Sequence, residues 1–153
     1  MRLNHVNLCA SDVNALTRTL EAHFSYSTVQ SGTVPNYPGV PNPGTEYAML
    51  IGDDGSDIVI TQIDPPSDGE SAYPPQFHFG LIQDTAQAVH SLHAELTTAG
   101  YEPGTISVFE VLGATWTAFY CPLGDGLEIE INHRTDSDLL DHAGAQQPEG
   151  QPS

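Results

Sequence analysis

The sequence contains no lysine, and its only strong cations are Arg2, Arg18 and Arg134. Against them stand 20 acidic residues, for a formal net charge of -17. Such a chain repels nucleic acid and anionic membranes, so neither is expected as a partner. It is also poorly equipped to clamp a strongly anionic substrate. Solubility, or adaptation to a salty cytoplasm, is the default explanation of the charge, and attraction of a cationic small molecule is the functional one. Cysteine is scarce. Cys9 and Cys121 lie far apart in strand-like runs and read as buried free thiols of a cytoplasmic protein, with a disulfide the weaker alternative. No apolar run is long enough to span a bilayer. No basic segment followed by an apolar one opens the chain, so a signal peptide is not expected.

What is present is a 153-residue chain with 39% hydrophobic residues, enough for one domain or two small modules sharing a core. Residues 3–9 alternate like a strand. Ser11 or Asp12 then caps a helix on which Val13, Leu16, Leu20 and Phe24 recur at helical spacing. Residues 26–32 read as a strand. A Pro- and Gly-rich loop over 33–46 looks too long for a hairpin and is a candidate lid. Residues 47–54 and 57–63 form a hairpin around Asp54-Gly55. After a polar Pro-rich stretch the order recurs: a strand over 76–82, a helix capped by Asp84 or Thr85 and closed by Gly100, and strands over 106–112, 115–121 and 127–133.

The chain is therefore expected to be α+β, with two tandem βαβββ modules forming a curved, cleft-bearing mixed sheet and helices on its outer face. The expected division is residues 1–64, a linker over 65–75, residues 76–134, and a polar, disordered tail over 135–153. The duplication shows in the residues too. "NHVNL" (4–8) aligns with "FHFGL" (77–81), placing His5 over His78. "AMLIGDDGSDIVIT" (48–61) aligns without a gap on "FYCPLGDGLEIEIN" (119–132), placing Asp54-Gly55 over Asp125-Gly126.

Strand alternation assigns faces. Leu8 and Val6, Phe77, Phe79 and Leu81, and Leu127, Ile129 and Ile131 point under the helices. The opposite faces then carry His5, His78, Glu128 and Glu130. Two imidazoles and a carboxylate suit a divalent first-row metal and leave positions open for water or substrate. A single strand histidine is more often a packing residue, and it is the repeat-equivalent pair with a carboxylate on the same side that favours a site.

These stretches resemble the vicinal oxygen chelate superfamily, the glyoxalase, bleomycin-resistance and extradiol-dioxygenase group. The likeness covers roughly residues 1–133 and rests on "LNHVNLCASDV", "FHFGL" and "FYCPLGDGLEIEI", although the family's Asp-Pro before the turn is missing and only Asp125-Gly126 remain. It implies a cleft between two βαβββ modules, a homodimer, and a metal set of His5, His78 and Glu130. Glu128 is the alternative ligand if the turn is counted from Pro122. Val59 occupies the first module's equivalent of Glu130, so a fourth ligand is absent there. The implied metal is Fe, Mn, Zn, Ni or Co, and the implied function is Lewis-acid or O2 chemistry of dioxygenase or lyase/isomerase type on a small organic molecule. Glu130 and, by residue type, Tyr120, Tyr47 or His133 are candidate catalytic groups. The shortage of cations ranks glutathione and phosphonate substrates lower. The alternative is a metal-free, bleomycin-resistance-type protein that sequesters a cationic small molecule. His90 and His93 are expected on an exposed helix face, His23 at a helix end, and His142 in the tail. Trp116, Tyr47 and Tyr37 are candidates for lining the cleft or lid, with core packing the default.

Overall fold

The computed structural model describes residues 3–67, 70–111 and 113–135. The expected tail therefore lies, from residue 136 on, outside the described residues, as does His142. The elements run β1 (Val6–Ala10), α1 (Val13–His23), β2 (Tyr26–Thr33), β3 (Glu46–Gly52), β4 (Asp57–Gln62), β5 (His78–Ile82), α2 (Ala86–Thr98), β6 (Ser107–Val111), β7 (Ala114–Gly124) and β8 (Leu127–Arg134). This is βαβββ twice, an α+β fold with two four-stranded mixed sheets ordered β1-β4-β3-β2 and β5-β8-β7-β6. Among the described residues no helix is long and apolar enough to cross a membrane.

The chain divides into two compact units. One holds the described residues up to Phe77 together with Pro122–Glu128. The other holds His78–Cys121 and the described residues from Ile129. The β7–β8 turn thus clusters with the first unit.

In the first unit, Asp12 caps α1 by accepting from the Ala15 amide at 2.8 Å. The helix buries Val13, Leu16 and Leu20, with Phe24 just beyond its end, as the spacing required. These pack against Leu8, Leu50, Ile58 and Ile60, which are at most 4% exposed. β1 runs parallel to β4, pairing Leu8 with Ile60 and Asn7 with Val59, and β3 runs antiparallel to both of its neighbours. Val6 shares the core face but sits at the strand end and is 38% exposed.

The loop expected to be too long for a hairpin in fact joins two antiparallel neighbours. The Val34 amide bonds the Thr45 carbonyl at 2.8 Å and the Gly44 amide bonds the Val34 carbonyl at 2.9 Å, so pairing continues past the strands. The length is absorbed by turns at Gly39, Asn42 and Gly44, all at positive φ.

The stretch before β5 is anchored within the first unit. The Tyr73 hydroxyl donates to the Cys9 carbonyl at 2.7 Å and accepts from the Cys9 amide. The Ala72 amide bonds the Asp125 carbonyl at 2.9 Å. Asp125, at φ 54°, holds Ser11 through both carboxylate oxygens, at 2.7 Å to its amide and 2.8 Å to its hydroxyl. Asp125-Gly126 therefore ties the β7–β8 turn to the start of α1, a role that a turn motif alone does not announce.

In the second unit, Thr85 caps α2 and Gly100 follows its end at φ 91°. Val89, Leu92 and Leu96 meet a core of Phe119, Cys121, Ile129 and Ile131. His93 corrects the expectation of an exposed helix face. Its ring lies edge-on to Phe119 with centroids 5.0 Å apart, and its Nε2 is 3.0 Å from the Gly104 carbonyl. Its place beside the apolar stripe, one residue after Leu92, is what tucks it in.

Candidate functional site

β8 explains why a carboxylate sits deep in this fold. Its odd positions Ile129 and Ile131 are fully buried on the helix side. Its even positions then point to the opposite face, yet Glu130 and Asn132 are only 9% and 8% exposed. A buried carboxylate needs partners on both oxygens. Glu130 has them. Asn132 Nδ2 donates to Oε1 at 3.2 Å, the Tyr120 hydroxyl donates to Oε2 at 3.2 Å, and His78 Nε2 stands 3.1 Å from Oε2. The His78 and Tyr120 rings meet edge-on with centroids 5.1 Å apart.

Each partner is placed by its strand. His78 opens β5, the neighbour of β8, with its side chain 37% exposed. Tyr120 comes from β7 on the other side of β8. Gly80 follows His78 on the same face, and a Cβ there would touch Asn132 Nδ2 at 3.6 Å, ordinary contact. The structure thus brings together His78 and Glu130, which strand alternation puts on one face, and Tyr120, a candidate by residue type alone. Asn132 is a partner that the sequence reading does not single out; an amide two residues from an acid on one strand is the signal that points to it.

His5 belongs to the other compact unit, just before β1, exposed, with its Nδ1 3.0 Å from Asn4 Nδ2. Among the described residues no three His, Cys, Asp or Glu side chains gather into a group that would hold a metal ion. Glu128 is half-buried, one strand repeat before Glu130. Val59 stands between Asn7 and Met49 in the first sheet. His133 Nδ1 lies 3.0 Å from the Gln83 carbonyl, and the Tyr47 hydroxyl accepts from Gln30 Nε2 at 2.7 Å. Tyr37 is exposed in the 33–46 loop. Both cysteines are free thiols, Cys121 buried as expected and Cys9 only half-buried.

The fit of a divalent ion can be tested on the His78–Glu130 pair itself. Two bonds of about 2.1 Å meeting at about 90° put their donor atoms about 3.0 Å apart. The observed 3.1 Å between Nε2 and Oε2 matches that separation, as it also matches an N–H···O hydrogen bond. Two acceptors this close repel unless a proton or a cation lies between them. The Tyr120 and Asn132 hydrogen bonds meanwhile fix the carboxylate, as outer partners of a ligating carboxylate do. The pair fits.

No protein-family model matches the sequence, and no curated protein does. Solved structures do. The fold is similar to a possible glyoxalase from Bacillus cereus, at 24% identity and TM-score 0.60, covering 86% of this chain and 97% of that one. It is similar to a glyoxylase/bleomycin resistance protein/dioxygenase domain from Frankia sp. EAN1pec, at 17% identity and TM-score 0.65, covering 88% and 98%. It is also similar to a variant of the fosfomycin resistance protein FosX from Listeria monocytogenes, complexed with Mn(II) and a dihydroxypropylphosphonic acid, at 15% identity and TM-score 0.66, covering 92% and 97%.

Proposed function

We propose that this chain, which has the fold of the vicinal oxygen chelate superfamily, is a divalent-metal-dependent enzyme acting on a small organic substrate. The carrying observation is the buried Glu130 carboxylate with His78 Nε2 at 3.1 Å and both oxygens hydrogen-bonded. In this reading His78 and Glu130 are two ligands, and His5, the repeat equivalent of His78, is the third. Fe, Mn, Zn, Ni and Co remain the candidate ions, and Mn(II) in the FosX structure is a precedent for that protein. When bound, the ion would polarise a substrate oxygen or activate O2, giving lyase/isomerase or dioxygenase chemistry.

The protein's own groups have distinct tasks. Asn132 and Tyr120 orient Glu130 and withdraw its lone pairs, which favours a ligand role over that of a free base. The Tyr120 hydroxyl donates to Glu130, and the residue is 40% exposed, which leaves it open to substrate. The protein is read as a cytoplasmic homodimer, consistent with two free thiols.

Elemental analysis after loading with each metal tests the reading. One ion per chain, lost on His78→Ala and on His5→Ala, supports it; no stoichiometric binding of any of the five sinks it. Co-expression of the two single variants tests subunit sharing, because a site shared across a dimer regains metal in mixed dimers. The net charge of -17 favours one second reading, metal-free sequestration of a cationic molecule. That reading requires salt-sensitive calorimetric binding of a bleomycin-type cation by metal-free protein.

A further inference from the structure

The face that carries Glu130 continues past it in rows. Across β7 and β8, Tyr120 meets Glu130 at one end. Four residues further along both strands, Trp116 meets Arg134, whose guanidinium carbon lies 5.0 Å from the ring centroid. Alternation puts Ala118 and Asn132 between them on the same face. On β6, Phe109 pairs with Trp116, and the two rings stack with centroids 6.1 Å apart and planes 14° from parallel. The helix lies on the other side, because Phe119, of opposite parity, is the residue that touches His93 of α2. Phe109, Trp116 and Arg134 therefore form one stacked row across three strands. At about 3.3 Å per residue the row lies about 13 Å from the His78–Glu130 pair.

Two features argue against simple packing. Phe109 is 40% exposed, whereas the core aromatic Phe119 is 1% exposed. Arg134 is also one of only three strong cations in a chain of charge -17. Cation–π contact with Trp116 holds its planar group in place, and a guanidinium so held presents its N–H edge to a carboxylate.

We infer that this row is a substrate seat for a flat aromatic group bearing a single carboxylate, and that the substrate is an elongated molecule. Its reacting end lies at His78–Glu130 and its aromatic end stacks on the exposed Phe109, with Trp116 held between Phe109 and Arg134. The assignment of the reacting end rests on the proposed function; the seat itself does not. It follows that the aromatic ring is a recognition element, held too far from the ligand pair to be the group transformed. A single guanidinium in so negative a chain selects one negative charge rather than a phosphonate's two.

Trp116 is the only tryptophan, so its fluorescence reads the seat directly. The probes are biphenyl-4-carboxylate, its saturated dicyclohexyl counterpart, and methylphosphonate, each titrated with and without Mn(II), with bound metal counted on the same samples. Saturable quenching by the biphenyl acid is expected, with affinity about tenfold above the saturated analogue and no response to methylphosphonate. Arg134→Gln weakens both carboxylates about tenfold. Phe109→Leu weakens only the aromatic one, a selectivity that a general loss of structure would not produce. Equal affinity for flat and saturated probes, no saturable quenching, or indifference to Arg134→Gln overturns the inference. Quenching without metal binding upholds the seat and rejects the metal reading; metal binding without quenching does the reverse.

Discussion

Gly126 is where the architecture predicts the sharpest response to one methyl group. It sits at φ 81° in the β7–β8 turn, and a Cβ there would lie 1.6 Å from Ser71 Oγ and 2.7 Å from Ser71 Cβ. A change of Ser71 rotamer clears the first clash but not the second. An alanine first incurs the left-handed backbone cost, about 1–2 kcal/mol. It also displaces Ser71, whose hydroxyl donates to the Tyr73 carbonyl at 2.8 Å and accepts from the Tyr73 amide at 3.2 Å; each bond contributes about 1 kcal/mol. Gly126→Ala should therefore cost about 3–4 kcal/mol. Gly55, the repeat equivalent, has nearly the same φ of 80° and nothing within 4 Å, so Gly55→Ala should incur only the backbone cost. At about 2–4 °C per kcal/mol for a chain of this size, thermal melts followed by circular dichroism should fall by about 6–16 °C for the first variant. The second should fall by roughly half as much or less. Adding Ser71→Gly to Gly126→Ala should recover part of the difference. Equal losses for the two alanine variants would refute the claim that the 71–73 stretch is packed on this turn.

Three further outcomes follow from the same contacts. Burial holds the Tyr73 phenol above its usual range, against the opposing effect of its Cys9 backbone bond. A folded-state value above the unfolded one means stability that is present below about pH 10 and lost as pH rises through the folded value. Tyr73→Phe should lower the melting temperature at pH 8 but flatten its fall between pH 9 and 11, and an unchanged slope would count against the burial. Hydrogen bonds from Ser56 hold the Asp54 carboxyl below the usual carboxylate value. The hairpin's gain is then present above about pH 4 and lost as pH falls through the lower folded value, so Asp54→Ala should destabilise at pH 7 and matter less near pH 2 in acid titrations of thermal stability. Tyr120→Phe and Asn132→Ala each remove one hydrogen bond from Glu130 and should weaken metal binding about 10–100-fold by calorimetry without abolishing it; full affinity in both would remove their orienting role.

The fold was largely legible because periodicity reports burial. Val13, Leu16 and Leu20 on α1, and Ile129 and Ile131 on β8, repeat at the spacing that buries them. The neighbourhood of Glu130 was legible for the same reason, since parity and the duplicated histidine put His78 and Glu130 on one face. What parity does not encode is contact through turns and loops. Nothing local marks Asp125 as the partner of Ser11 across 114 positions, or Tyr73, in a Pro-rich stretch, as the clamp on Cys9. The 33–46 loop misled through its length, because its prolines read as interruption while its ends continue the β2–β3 pairing. His93 departs from the exposed face expected from its residue type because a half-buried imidazole can set its ring edge on Phe119 while bonding a carbonyl. The third ligand was inferred from the repeat, and repeat equivalence states which residues correspond, not which ones meet.

The central claim is that His78 and Glu130, rather than Glu128, form the metal-binding pair. Calorimetric titration of Mn(II) into the wild-type protein, Glu130→Gln and Glu128→Gln tests it most directly. The account predicts one ion per chain for the wild type and for Glu128→Gln, and an affinity loss of more than about 100-fold for Glu130→Gln. Retained affinity in Glu130→Gln, or its loss in Glu128→Gln alone, would contradict it.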